Sequence, residues 1–244
     1  MIAKAIDKIV KMTEPHIVFV KDGQFAYSDK DLYEVKQCRR AEPLTVKNLG
    51  GFCEYIKQFA KNDTKEISDY FVLVESHRSV LFMSKLNEDR EREILIKAVP
   101  EVPGFPFGRF INNEEMIILL QSAFVQDAET DLGVVQKFTG TVTAGTIKEY
   151  SDDGISQQAA VKQGPRGKVD DLVPSPCVLR PYRTFVEVMQ PASSFIFRLE
   201  QGREQTVNAA IIEADGGAWK LDAVSNIIVY LAKELAGTGV KVIG

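Results

Sequence analysis

Cysteine, histidine and tryptophan are scarce, at three, two and one in 244 residues. Cys38, Cys53 and Cys177 form no C-x-x-C pair, and His16 and His77 stand far from them and from each other, so the spacing supports neither a zinc site nor a disulfide framework. Free thiols in a reducing compartment are the expectation. No apolar run approaches the ~18 residues that cross a bilayer, and the opening Met1-Ile2-Ala3-Lys4-Ala5-Ile6-Asp7 is too broken by charge for a signal peptide. The expected setting is the cytoplasm, with no membrane partner. Catalytic signatures are missing too: there is no G-x-S-x-G elbow, no G-x-x-x-x-G-K-[ST], no G-x-G-x-x-G after a strand and no H-E-x-x-H. General-base chemistry on two distant histidines would need an unusual convergence, so an enzyme is not favoured and no cofactor is expected. A large charge excess is also lacking. A net charge of −4 excludes a surface that is basic all over, the electrostatic requirement for a general nucleic-acid glove, and leaves room for a local basic patch.

What is present is an ordinary globular composition, 45% apolar and 26% charged, on a chain long enough for a full core. Ile2, Ala5, Ile6, Ile9 and Val10 recur at helical spacing and predict an amphipathic helix over 2–12, ended by Pro15. Asp22-Gly23 between two apolar runs predicts a hairpin over 17–27. Leu49, Phe52, Cys53, Ile56 and Phe59 share one face of a helix over 46–61, with Thr45 as its cap. Strands over 70–75, 79–84 and 90–98 make an antiparallel meander. The stretch 100–110, with three prolines and three phenylalanines, is too constrained for a helix and too apolar for a linker, so it should pack on the body. Asn113 heads a helix with acidic residues in its first turn, and a second helix spans about 129–137. Five strands follow, over 141–150, 155–163, 182–189, 194–200 and 205–214. Trp219, Ala223, Ile227, Leu231 and Leu235 define a long C-terminal helix that should cover this second sheet. The fold class is α+β, a predominantly antiparallel sheet covered by helices. A peripheral region over 1–64 and a main domain over 65–244 together make one cooperative domain.

Two constellations carry possible chemistry. Asp152-Asp153-Gly154, with Glu213, Asp215 and Asp222, offers carboxylates to a divalent cation, but Asp-Gly between strands is also what a hairpin turn demands, and the turn is the better reading. The second is residues 179–198, where arginines stand beside aromatics. On an extended strand Arg183 and Glu187 share a face, so Arg180, Tyr182, Arg183 and Arg198 either grip a phosphate by forked hydrogen bonds while a ring stacks on a base, or pair with carboxylates and serve only the sheet. Residues 160–205 carry a balance of +2 against −6 for the rest, which adds Arg166 and Lys168 on the Gly-Pro loop as candidate anion contacts.

The helix over 49–59, the meander from Phe71 to Ile96, Phe107 with the helix over 114–120, the turn Asp152-Asp153-Gly154-Ile155-Ser156-Gln157 and Arg183-Thr184-Phe185 stand in the order found in a group of phage and prophage proteins, the YfdQ-like group, which this chain resembles over about 45–236. The resemblance implies a viral accessory protein in the bacterial host cytoplasm that acts by binding, either gripping a nucleic acid during phage replication or recombination or sequestering a nucleotide signal or protein of the host's defence. The stretch from Glu213 to Lys220 departs from it. An oligomer is expected from the N-terminal helix and the 103–110 loop, either of which could dock on a second copy. A metal-dependent phosphodiesterase and a virion or assembly component are the alternatives.

Overall fold

The computed structural model describes residues 2–13, 17–20, 25–28, 42–59, 67–87, 90–149, 157–162, 168–202 and 206–244, with the backbone alone at 18–20, 25–27, 143–149, 160–162 and 168–171. The chain divides into two compact units, Met1–Ala41 and Glu42–Gly244. In the first, helix α1 (Ile2–Thr13) gathers Ile2, Ile6 and Ile9 along one side with no residue buried. Strands β1 (Ile17–Val20) and β2 (Phe25–Ser28) pair antiparallel, with Ile17 opposite Ser28. The expected Asp22-Gly23 turn lies outside the described residues.

The larger unit holds two sheets with separate cores and a third, three-stranded one. The first sheet grows from the expected meander. β4 (Tyr70–Ser76) alternates so that Tyr70, Val72 and Val74 point inward, and His77 and Arg78 turn it into β5 (Ser79–Ser84), which pairs with β6 (Ile94–Ala98). Two three-residue strands extend its edges in parallel: β3 (Leu44–Val46) beside β6, and β14 (Lys241–Ile243) beside β4. Such short strands show no readable period, so these two parallel pairings are not among the strands read from the sequence. Helices α2 (Leu49–Phe59) and α5 (Trp219–Glu234) cover one face, burying Phe52, Ile56, Val72, Phe82, Ile227 and Leu231. So α5 covers this sheet and not the second, because the chain after it returns as β14 at the side of β4. β3 and α2 belong to this unit, which begins at Glu42.

The second sheet runs β11 (Cys177–Leu179), β12 (Ser193–Gln201), β13 (Val207–Glu213) and β7 (Ile111–Asn112). Phe195, Phe197 and Leu199 alternate inward from β12 onto Leu120 of α3 (Asn113–Ser122) and Val135 of α4 (Leu132–Thr141). The cap of α3 is Asn112, one residue before the expected one; its Oδ1 accepts the Glu115 N–H at 2.8 Å. As expected, the proline-rich loop packs on the body. Phe107 stacks on Phe195 at 5.5 Å and Phe105 meets Phe124 edge-on at 4.9 Å, so these two rings serve this core while Phe110 is exposed. Strands β8 (Val142–Glu149), β9 (Gln157–Lys162) and β10 (Lys168–Leu172) form the three-stranded sheet, tied to the second by the Gln157 amide, which bonds both the N–H and the C=O of Leu199. Among the described residues no helix is long and apolar enough to cross a membrane.

The strand expected over 182–189 does not form. Pro181 and Pro191 bracket the segment, and the buried Gln190 side chain takes over its backbone: Oε1 accepts the N–H groups of Arg183 and Thr184, and Nε2 donates to the Phe185 carbonyl at 2.7 Å.

Candidate anion-binding site

The loop over 182–190 joins the two sheets, and that decides the fate of the arginines expected to grip a ligand. Arg183 is 3% exposed. Its guanidinium carbon lies 3.8 Å from the centre of the Trp219 ring at the start of α5. Nη1 donates to Glu213 Oε1 at 2.8 Å, and Nη2 donates to the Ser193 hydroxyl. Burial pulls this guanidinium below its ordinary pKa, opposed by the hydrogen bond and charge of Glu213 and by Asp215. From the first sheet, Arg78 Nε donates to the Arg183 carbonyl, the Thr184 hydroxyl donates to the His77 carbonyl, and the His77 ring meets Trp219 edge-on at 4.7 Å. Glu187, three residues on, caps α2 from a distance in sequence: its Oε1 accepts the Leu49 N–H at 2.7 Å and that of Gly50 at 3.3 Å. Thr45, the expected cap, lies in β3 instead.

The remaining candidates are dispersed. Arg180 pairs with Asp127, and its Nη2 is 3.9 Å from Glu129. Tyr182, half-buried, donates its N–H to the Ala123 carbonyl. Arg198 stands on β12 between inward-facing Phe197 and Leu199, hence on the other face. Lys168 opens β10 opposite Lys162, while Arg166 lies outside the described residues. No shared hollow is built by Arg180 and Arg183: each is turned onto carboxylates, one of them beneath the surface, because a guanidinium taken out of water must be paired. Two of the carboxylates considered for a metal are likewise engaged, Glu213 with Arg183 and Asp215 with the Gly217 N–H at 3.0 Å, while Asp222 stands in the first turn of α5. Asp152 and Asp153 lie outside the described residues, and among those described no group of three or more His, Cys, Asp or Glu could hold a metal ion.

Cations do meet elsewhere, at a place the sequence reading missed. A hollow of about 460 Å³ opens where β4, β5 and β14 end on one side of the first sheet, with Lys85, Arg92 and Lys241 around it and Phe71 in its wall. Each is placed by backbone. Lys241 is the register partner of Phe71. The Lys85 N–H donates to the Asp69 carbonyl at 2.7 Å as the chain leaves β5. Arg92 approaches β6 with Nη1 on the Ser84 carbonyl at 3.2 Å and its guanidinium carbon 5.2 Å from the Phe71 centroid. Gly239, at φ +82°, lets the chain turn out of α5 and into β14 beside the hollow. Among the described residues, no carboxylate lies within ion-pair distance of Lys85 or Lys241. The nearby acids Glu93 and Asp69 act on Tyr70, whose hydroxyl is held above its ordinary pKa by burial first and by them second.

A second hollow, of about 320 Å³, is lined by Val188, Met189 and residues of α5; Glu187 and Lys233 both line it, so it offers no concentration of positive charge. The two described cysteines offer no nucleophile: burial pushes the Cys53 thiol up to about 11 and the Cys177 thiol up to about 12, while Cys38 lies outside the described residues. Compared with protein-family models, with curated proteins and with solved structures, the chain gives no match.

Proposed function

We propose that this chain is a non-enzymatic binding protein whose ligand carries phosphate, held in the hollow between Lys85, Arg92 and Lys241. The observation that carries the reading is the convergence of three cations on one concavity, two of them with no carboxylate in ion-pair range among the described residues. Like charges gathered this way repel, and a compact dianion placed among them replaces that repulsion with charge-assisted hydrogen bonds. The resemblance to the phage group supports the same reading, an accessory protein that acts by binding in the bacterial cytoplasm.

Equilibrium dialysis with labelled pyrophosphate tests it. Removing each ammonium should weaken binding about tenfold or more, the effect of a hydrogen bond to a charged group, and raising the salt should weaken it further. A Lys85→Ala, Lys241→Ala variant with an unchanged circular dichroism spectrum that binds as tightly as wild type would remove the hollow from this account; a wild-type protein that binds no phosphate compound would remove the function.

Self-association belongs to the proposal and rests on α1. Its apolar side is uncovered, with Ile2, Ile6 and Ile9 each more than half exposed, while a 12-residue helix is marginal alone in water. Packing α1 against α1 of a second copy supplies the missing partner.

A further inference from the structure

Resting on that reading of the hollow, we infer that its ligand is a free nucleotide, with the phosphates between Lys85 and Lys241 and the base lying flat against the guanidinium of Arg92. Size argues first. A volume of about 460 Å³ falls in the range of small-molecule pockets, roughly 300–1,000 Å³, and holds one nucleotide rather than a strand. Charge argues the same way. A protein that tracks a nucleic-acid backbone lays its cations in a stripe on a basic surface, whereas here Lys85 and Arg92, from the connection between β5 and β6, and Lys241, from β14, ring one concavity on a protein of net charge −4. The long-range field of such a protein resists a polyanion and tolerates a compact anion.

The cations around the hollow differ in chemistry. Lys85 and Lys241 carry point charges on flexible stems, suited to oxygens that need no fixed angle. Arg92 is planar, with Nη1 on the Ser84 carbonyl and its guanidinium carbon over the Phe71 ring. Arg92 is exposed beside the hollow, and bases stack on guanidinium planes whatever their identity. Ile243, half exposed in the same wall, supplies apolar surface for the sugar and base edge.

The experiment measures four nucleoside diphosphates (ADP, GDP, CDP and UDP), ribose 5-phosphate, pyrophosphate and a single-stranded thymidine oligomer against wild type and Arg92→Lys, which keeps the charge and loses the plane. The nucleoside diphosphates should bind wild type about tenfold tighter than pyrophosphate, given a stacking contribution of ~1–3 kcal/mol per base. Arg92→Lys should bring them down to the pyrophosphate level and leave pyrophosphate within twofold. Pyrophosphate binding wild type as well as the nucleotides do, or Arg92→Lys weakening both alike, overturns the nucleotide inference and leaves the phosphate site standing. An oligomer that binds tighter than every mononucleotide also overturns it. Absence of binding by all of them, pyrophosphate included, brings down the phosphate site itself.

Discussion

Replacing Arg183 by methionine removes the guanidinium that sits between the two sheets while keeping most of its volume over Trp219. Three losses follow from the geometry. The ion pair to Glu213 goes, but the Glu213 side chain is 36% exposed and can take up water, so the cost stays below the ~3–5 kcal/mol of stripping a partner from a fully buried charge. The cation stack on Trp219, at 3.8 Å and out of solvent, is worth about 1–2 kcal/mol, part of which the thioether retains. The Ser193 hydroxyl loses its donor, at about 1 kcal/mol. Together these predict a destabilisation of about 3 kcal/mol, out of the ~5–15 kcal/mol that holds a domain together. With a urea slope near ~2 kcal/mol/M, the unfolding midpoint should fall by about 1.5 M. Glu213→Gln, which leaves the charged partner 4% exposed and short of its carboxylate, should cost nearly as much, and the double variant should show a coupling above ~1 kcal/mol. A midpoint shift under ~0.5 M for Arg183→Met, or additive effects of the two changes, would refute the argument that this arginine is structural.

Removing the remote cap of α2 by Glu187→Ala should cost ~1–2 kcal/mol by urea unfolding, and Glu187→Gln less, since an amide oxygen still accepts the Leu49 N–H. Cys53 and Cys177 should resist a thiol reagent at pH 8 in the native protein and react once it is unfolded, because burial holds both above that pH; rapid native labelling of either, read by peptide mass, contradicts their placement. Acid should weaken the fold in two steps. Burial first, then Arg78, Lys220 and Arg183, hold the His77 pKa below 6.5, so the unfolded chain takes that proton first: the contribution is whole above pH 6.5 and declines below it. Burial alone would raise Asp215, but the Gly217 N–H, the Ser193 hydroxyl and Arg183 outweigh it and hold its pKa below 3.8; that contribution is whole above pH 3.8 and is lost as the pH falls through the depressed value. In urea titrations across this range, His77→Gln should flatten the upper step and leave the lower one. Ile6→Lys with Ile9→Lys should shift sedimentation toward a smaller species, and a wild-type protein that sediments as a monomer at micromolar concentration contradicts association through α1.

Periodicity over long elements was legible in the chain: the helices α1, α2 and α5 and the meander β4–β6 formed within a few residues of where the apolar spacing put them. Short strands were not, and they matter most for the proposed site. β14 is three residues long, and its parallel pairing with β4 is what carries Lys241 to Phe71, 170 positions away in sequence. No local pattern announces that meeting; the nearest signal is the pair of glycines at 237 and 239, both at positive φ, which breaks the chain between α5 and β14. Residues 182–190 misled for a different reason. Thr184-Phe185-Val186-Glu187-Val188 has the composition of a strand, but the side chain of Gln190 claims the backbone bonds that a strand would use. Arginine beside aromatics reads the same in a sequence whether it waits for a phosphate or lies stacked in a core; burial is what separates the two, and burial of Arg183 depends on Trp219 and Glu213 arriving from elsewhere.

The most direct test of the central claim is where an anion lands. Amide nitrogen–proton NMR spectra of the protein titrated with pyrophosphate report this residue by residue. The account predicts that the largest shifts fall on Lys85, Arg92, Gly239 and Lys241, with Arg180, Arg183 and their neighbours unmoved. Shifts centred on residues 180–198, or spectra that do not change at all, would contradict it.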